Sequence, residues 1–100
     1  MSYWLHQEAE EDLGEAAVYY ARHANRSIAE AFLDEFERVV ALIESNQQLG
    51  TPKEEGMRVY PFRRFPYSLV YREDRSGLHV YAIANHNREP GYWLGRHGDD

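Results

Sequence analysis

The sequence predicts an α+β fold: a short N-terminal strand, an αα-hairpin, then a three-stranded antiparallel meander, with the helices packed on one sheet face. Three observations predict it. Apolar residues from Ala9 to Ile43 recur at helical spacing in two runs parted by a short polar break. From Met57 onward the chain turns β-branched and aromatic in strand-length runs, YSLVYR over Tyr67–Arg72 and LHVYAIA over Leu78–Ala84. The resulting order β, α, α, β, β, β buries both apolar surfaces most simply by laying the hairpin over the sheet, which leaves the opposite sheet face open.

Ser2 to Leu5, with Tyr3, Trp4 and Leu5, suits a strand that adds to the later sheet. From Gln7 the period changes: Ala9, Leu13, Ala16, Ala17, Tyr20 and Ala24 form one helical stripe, and Glu8, Glu10, Glu11, Asp12 and Glu15 lie mostly away from it. These acids crowd the first two turns, where the helix dipole favours negative charge. Gly14 costs roughly 1 kcal/mol relative to Ala inside a helix and suggests close approach of a neighbouring backbone. Ala24-Asn25-Arg26 reads as the connection, because Ser27 followed by Glu30 matches a capping box. In the second helix Ile28, Phe32, Phe36, Val39, Val40 and Ile43 share a face, and Gly50 and Pro52 place its end near Asn46. Lys53 to Gly56 is a polar loop, and Met57 to Phe62 opens the meander. Pro61 and Pro66 cannot donate to a ladder, so the stretch between them is a bend or a strand end. Glu73 to Gly77 is the hairpin loop, with Gly77 available for a positive φ. After Ala84 come the polar cluster Asn85-His86-Asn87-Arg88 and the aromatic turn Pro90-Gly91-Tyr92-Trp93.

At 100 residues the chain is expected to be one domain, 1–100. It has no cysteine, which excludes disulfides and thiolate metal sites. No run reaches the ~20 apolar residues of a membrane span and no secretory h-region is present, so the expected location is cytoplasmic, away from membranes. The net charge of −6 is unevenly placed. Residues 1–50 carry three Arg against ten Asp or Glu, a net of −7, and residues 56–98 carry seven Arg against three acids, a net of +4. One half suits a basic partner and the other an anionic one; plain solubility of the acidic helices explains the first half equally well.

The candidate target- or partner-binding residues are Arg63, Arg64, Arg72, Asn85, Arg88, Tyr92 and Trp93. Arginine forks suit phosphate or carboxylate, and strand ends with their loops commonly carry sites. If Arg63 and Arg64 are extended, they point to opposite faces. Solvated arginines at strand ends are the competing explanation, and for Tyr92 and Trp93 it is packing that closes the domain. His6, His23, His79, His86 and His97 lack tight ligand spacing, so no metal or other cofactor is expected. His86 with Arg88 is the alternative catalytic pair beside an anion.

The helical hairpin from Ala9 to Asn46, the Arg64-Phe65-Pro66-Tyr67 and Leu69-Val70-Tyr71 pattern, and the ending Arg88-x-Pro90-Gly91-Tyr92-Trp93 occur here in one order. In these features the chain resembles the RelE/ParE toxins of bacterial toxin–antitoxin systems, also described as plasmid-stabilisation proteins. The resemblance spans nearly the whole sequence and implies the same fold, a toxin activity and a cognate antitoxin. It leaves two activities open: ribosome-dependent mRNA cleavage in the RelE-like branch and poisoning of DNA gyrase in the ParE-like branch. The ribonuclease branch has lysines where Val59 and Pro61 stand, arginines at Ser68 and Asn87, and a tyrosine at Trp93. Many members also have a histidine at Asn85, which here falls one place later, at His86. Cleaving RNA through its 2′-hydroxyl needs a base, phosphate stabilisation and an acid, which valine, proline and tryptophan cannot supply. The resemblance therefore implies a gyrase inhibitor. The alternatives are an mRNA endoribonuclease using His86, Arg88, Arg63 or Arg64, and a non-toxic interaction module of the same fold.

Overall fold

A computed structural model describes residues 3–96. Strand β1 (Tyr3–Leu5) leads into helix α1 (Gln7–His23) and helix α2 (Arg26–Ser45). Strand β2 (Thr51–Pro52), a 3-10 turn at Glu54–Gly56, and strands β3 (Met57–Pro61), β4 (Tyr67–Arg72) and β5 (Leu78–Asn85) follow. The sheet order is β1-β5-β4-β3-β2. The expected meander β3-β4-β5 is antiparallel and central. β1 joins it parallel to β5, and the two-residue β2 flanks β3, so the sheet is five-stranded and mixed. Pro52 is tolerated because β2 is an edge.

Two helix details differ from the sequence reading. The cap of α2 is Asn25, whose Oδ1 accepts the Ile28 N–H at 2.9 Å. Asn is at least as good a cap as Ser, and it comes two residues earlier, so Ser27 lies inside the first turn. Glu30 pairs instead with Arg26 at 3.0 Å. Gly14 has no atom within 4 Å of where a Cβ would stand, so no backbone approaches it. The small side chains at the α1 contact are Ala9 and Ala16, both buried.

Between helices and sheet, Phe32, Phe36, Val39 and Ile43 meet Tyr67, Leu69, Tyr71, Leu78, Val80 and Ile83. Alternation in β4 sends Ser68, Val70 and Arg72 to the other face. In β5 the register steps from Ala82 opposite Val70 to Val80 opposite Tyr71. Tyr81 is therefore the extra residue of a bulge, and Tyr81, Ala82 and Ala84 serve the second face together.

That second face is not open. Trp93, 6 % exposed, packs over Met57, Val70, Tyr81, Ala82 and Ala84, with Tyr92 and Leu94 beside it. A bare face bearing this much apolar surface would leave its burial incomplete, and the C-terminal turn supplies the missing layer. The turn is also tied across the β5 edge. Asp12 Oδ2 on α1 accepts the Ile83 N–H at 3.1 Å and Arg96 Nη1 at 2.8 Å, and Arg96 donates to the Tyr81 carbonyl at 3.2 Å. Backbone groups that β1 is too short to reach are thereby satisfied.

Candidate functional site

The polar cluster after β5 folds back on itself because asparagine side chains mimic a backbone turn. Asn85 Oδ1 accepts the Asn87 N–H at 2.8 Å, and the Asn85 carbonyl accepts the Arg88 N–H at 3.0 Å. Asn85 Nδ2 reaches the Tyr67 hydroxyl at 3.3 Å. The His86 N–H bonds the Pro66 carbonyl at 2.8 Å, which fixes this turn against the β3–β4 loop. Its imidazole Nε2 shares a 2.8 Å hydrogen bond with Ser68 Oγ, the donor being set by the tautomer.

Around this turn lies a cavity of about 570 Å³. Val59, Ala84, Trp93 and Leu94 give it apolar walls, Ser68 and His86 a polar one, and Lys53, Glu54, Arg88 and Glu89 border it. Two cations against two acids leave it near neutrality. The Arg88 guanidinium carbon stands 3.7 Å from the centre of the Tyr92 ring, and that of Arg96 stands 5.1 Å from it. Burial, reinforced by Asp12, pushes the Tyr92 phenol above its ordinary range, against the pull of Arg96 and Arg88. Tyr92 thus stays a neutral, amphipathic surface at any physiological pH.

Of the residues predicted from sequence, Asn85, His86, Arg88, Tyr92 and Trp93 come together here. Arg72 does not: it lies at the far end of β4, donates to the Glu55 carbonyl at 2.6 Å and stands 5.8 Å from the Tyr81 ring. Arg63 and Arg64 line a separate groove against α2. They are not extended, since Arg64 adopts φ 68°, so the opposite-faces expectation fails for a reason of backbone geometry. Sequence reasoning treated Ser68 only as a replaced arginine and passed over Lys53 and Val59 as wall residues. Period-two alternation in YSLVYR already puts Ser68 on the face of Val70, which was the available signal.

The histidines pair in a different way. His6 Nε2 and His79 Nδ1 lie 3.0 Å apart with ring centres 5.3 Å apart, an end-to-end hydrogen bond between rings. His79 also faces Asp74 at 3.6 Å. His23 Nδ1 meets the Tyr19 carbonyl at 3.1 Å, and His97 lies outside the described residues.

Ser68–His86 is the hydrogen-bonded side-chain pair on the cavity wall able to pass a proton, and the imidazole has no acidic partner among the described residues. Three of the five positions that carry cations or tyrosine in the ribonuclease branch, here Val59, Ser68 and Trp93, form this wall. The family model described as the ParE toxin of the type II toxin–antitoxin system, parDE, matches residues 3–90. The chain belongs to the ParE toxin family. A solved structure titled the chromosomal ParDE TA system from P. aeruginosa shares the ParE fold with this chain at a TM-score of 0.74. Their identity is 23 %, over 85 % of this chain and 95 % of that one. No curated protein matches the sequence. As a ParE toxin it is the toxin component of a type II pair, which implies an antitoxin partner. Among the described residues no helix is long and apolar enough to cross a membrane.

Proposed function

We propose that this ParE toxin acts by binding DNA gyrase through the surface around the C-terminal turn and is neutralised by a cognate antitoxin. The observation that carries the reading is the composition of the cavity wall: Val59 and Ser68 where the ribonuclease branch has a lysine and an arginine, and Trp93 where it has a tyrosine. An enzyme lacking one phosphate-stabilising or proton-transferring group loses roughly 10²–10⁴ in rate, and here several are absent together. Obstructing a topoisomerase needs only a complementary surface. Arg88 and Tyr92 offer one with both charge and a flat ring, held by the buried Trp93 and shaped by the Asn85 turn.

Purified protein added to a gyrase supercoiling reaction is expected to inhibit it or to accumulate cleaved DNA complexes, and to leave mRNA on translating ribosomes intact. Codon-positioned cuts with gyrase unaffected would overturn the proposal. One contact favours the ribonuclease alternative, the 2.8 Å Ser68–His86 hydrogen bond inside the cavity. If it served catalysis, those cuts would vanish in His86→Ala.

A further inference from the structure

Two non-glycine residues adopt left-handed backbone, Glu55 at φ 62° and Arg64 at φ 68°. For Glu55 the fold explains it. Its carbonyl accepts Arg72 at 2.6 Å and its carboxylate accepts the Gly95 N–H at 3.1 Å, so both ends of the residue are used. For Arg64 it does not. The guanidinium lies 5.9 Å from the Phe65 ring centre and makes no ion pair among the described residues. A position that glycine would fill with less strain thus carries a long cation that makes no ion pair among the described residues and stands over the neighbouring Phe65 ring, and such outliers point to function.

The surroundings say what that cation meets. Glu35 on α2 is fully engaged: its carboxylate takes Arg38 through two bonds of 2.8 Å and the Arg63 N–H at 2.6 Å. This pins the β3–β4 loop to the helix while leaving the side chains of Arg63 and Arg64 on the wall of a groove of about 400 Å³. Arg38, Arg63 and Arg64 face Asp34 and Glu35 there, a surplus of one positive charge, between apolar walls from Ala31 and Phe65.

We infer that this groove seats an acidic segment of a protein partner, with a carboxylate held by Arg63 and Arg64 and an apolar neighbour against Phe65. Arginine forks bind carboxylates bidentately. Nucleic acid is the poorer fit. A phosphate backbone needs an extended run of cations, whereas this groove is one charge in surplus beside a helical half of net −7. The groove shares no lining residue with the C-terminal cavity. The inference therefore goes beyond gyrase binding and does not depend on it.

The test uses fluorescence anisotropy on the whole chain with a labelled Gly-Leu-Glu-Glu-Leu-Gly peptide, its Gln-Gln counterpart and a short oligothymidine strand. The acidic peptide is expected to bind saturably, the Gln-Gln peptide at least ten-fold more weakly, and the oligothymidine no better than the Gln-Gln peptide. Arg64→Gly is the decisive variant, because it relieves the backbone while deleting the cation. It is expected to keep or raise Tm and to weaken acidic-peptide binding at least five-fold, and Arg63→Gln, which keeps the N–H to Glu35, to weaken it likewise. Equal binding of the two peptides, or unchanged binding in folded Arg64→Gly, would overturn the inference. So would oligothymidine binding lost in the same variants. A lowered Tm in Arg64→Gly would give the side chain a structural role and overturn it too.

Discussion

At the level of single residues, the helix-to-sheet connection depends on Gly50 for lack of room. Tyr71 is fully buried, donates to the Gln47 carbonyl at 2.7 Å and accepts the Gly50 N–H at 2.8 Å, so its ring is tethered at the hydroxyl. A Cβ on Gly50 would lie 2.5 Å from that hydroxyl. Gly50→Ala is expected to destabilise the fold by roughly 1–3 kcal/mol in urea denaturation, as overpacking does. Trp93→Ala, which empties the layer over the second sheet face, should cost more, about 3–5 kcal/mol, and loosen the turn that carries Arg88. Glu35 gives a pH signature. Its hydrogen bonds to Arg38, opposed by burial and helped by the Arg63 N–H, hold its carboxyl below the ordinary glutamate value. The folded state then holds fewer protons than the unfolded one. The stabilisation is complete above the unfolded value near 4.3 and fades as pH falls through the lower folded value. Glu35→Gln should therefore be less stable than wild type at pH 7, with the gap closing toward pH 3 in chemical denaturation.

At the level of elements, the cap of α2 separates what periodicity shows from what it leaves open. The apolar stripe from Ile28 to Ile43 marked the helix, but Asn25 and Ser27 both suit a cap, and only the geometry of the connection chooses Asn25. Asn25→Ala is expected to cost about 1 kcal/mol and Ser27→Ala no more than a few tenths, compared by thermal melts. The same limit applies to the sheet. YSLVYR and LHVYAIA were readable as strands, and Tyr3 to Leu5 as an added one. That β1 runs parallel to β5 depends on where the helical hairpin delivers the chain, which no local pattern encodes. The Tyr81 bulge was hidden because it breaks the alternation that sequence reading relies on. At the site, Asn85 to Arg88 and Tyr92-Trp93 were visible as polar and aromatic clusters beyond a strand. That Trp93 is a floor and Ser68 a wall follows from the folding back of the turn, a long-range event. Arg63 and Arg64 looked like companions of Arg88 because all are cations at strand ends, yet the Pro61–Pro66 bend turns them toward α2.

At the level of the whole molecule, the candidate residues divide between two separate surfaces, the α2 groove with one positive charge in surplus and the C-terminal cavity near neutrality. Expression of the chain alone is expected to slow bacterial growth, and co-expression of the neighbouring reading frame to restore it. Normal growth with abundant folded protein would favour a non-toxic interaction module. The central claim is that the cavity binds and does not react. Ser68 and His86 are the hydrogen-bonded pair on its wall, so removing that pair while keeping the shape separates their chemistry from the surface. The most direct measurement is the concentration at which gyrase supercoiling is half inhibited, compared between wild type and a folded Ser68→Ala/His86→Ala double variant. The account predicts inhibition by both within about two-fold of each other. Loss of inhibition by a hundred-fold or more in the folded double variant, or no inhibition by wild type at all, would contradict it.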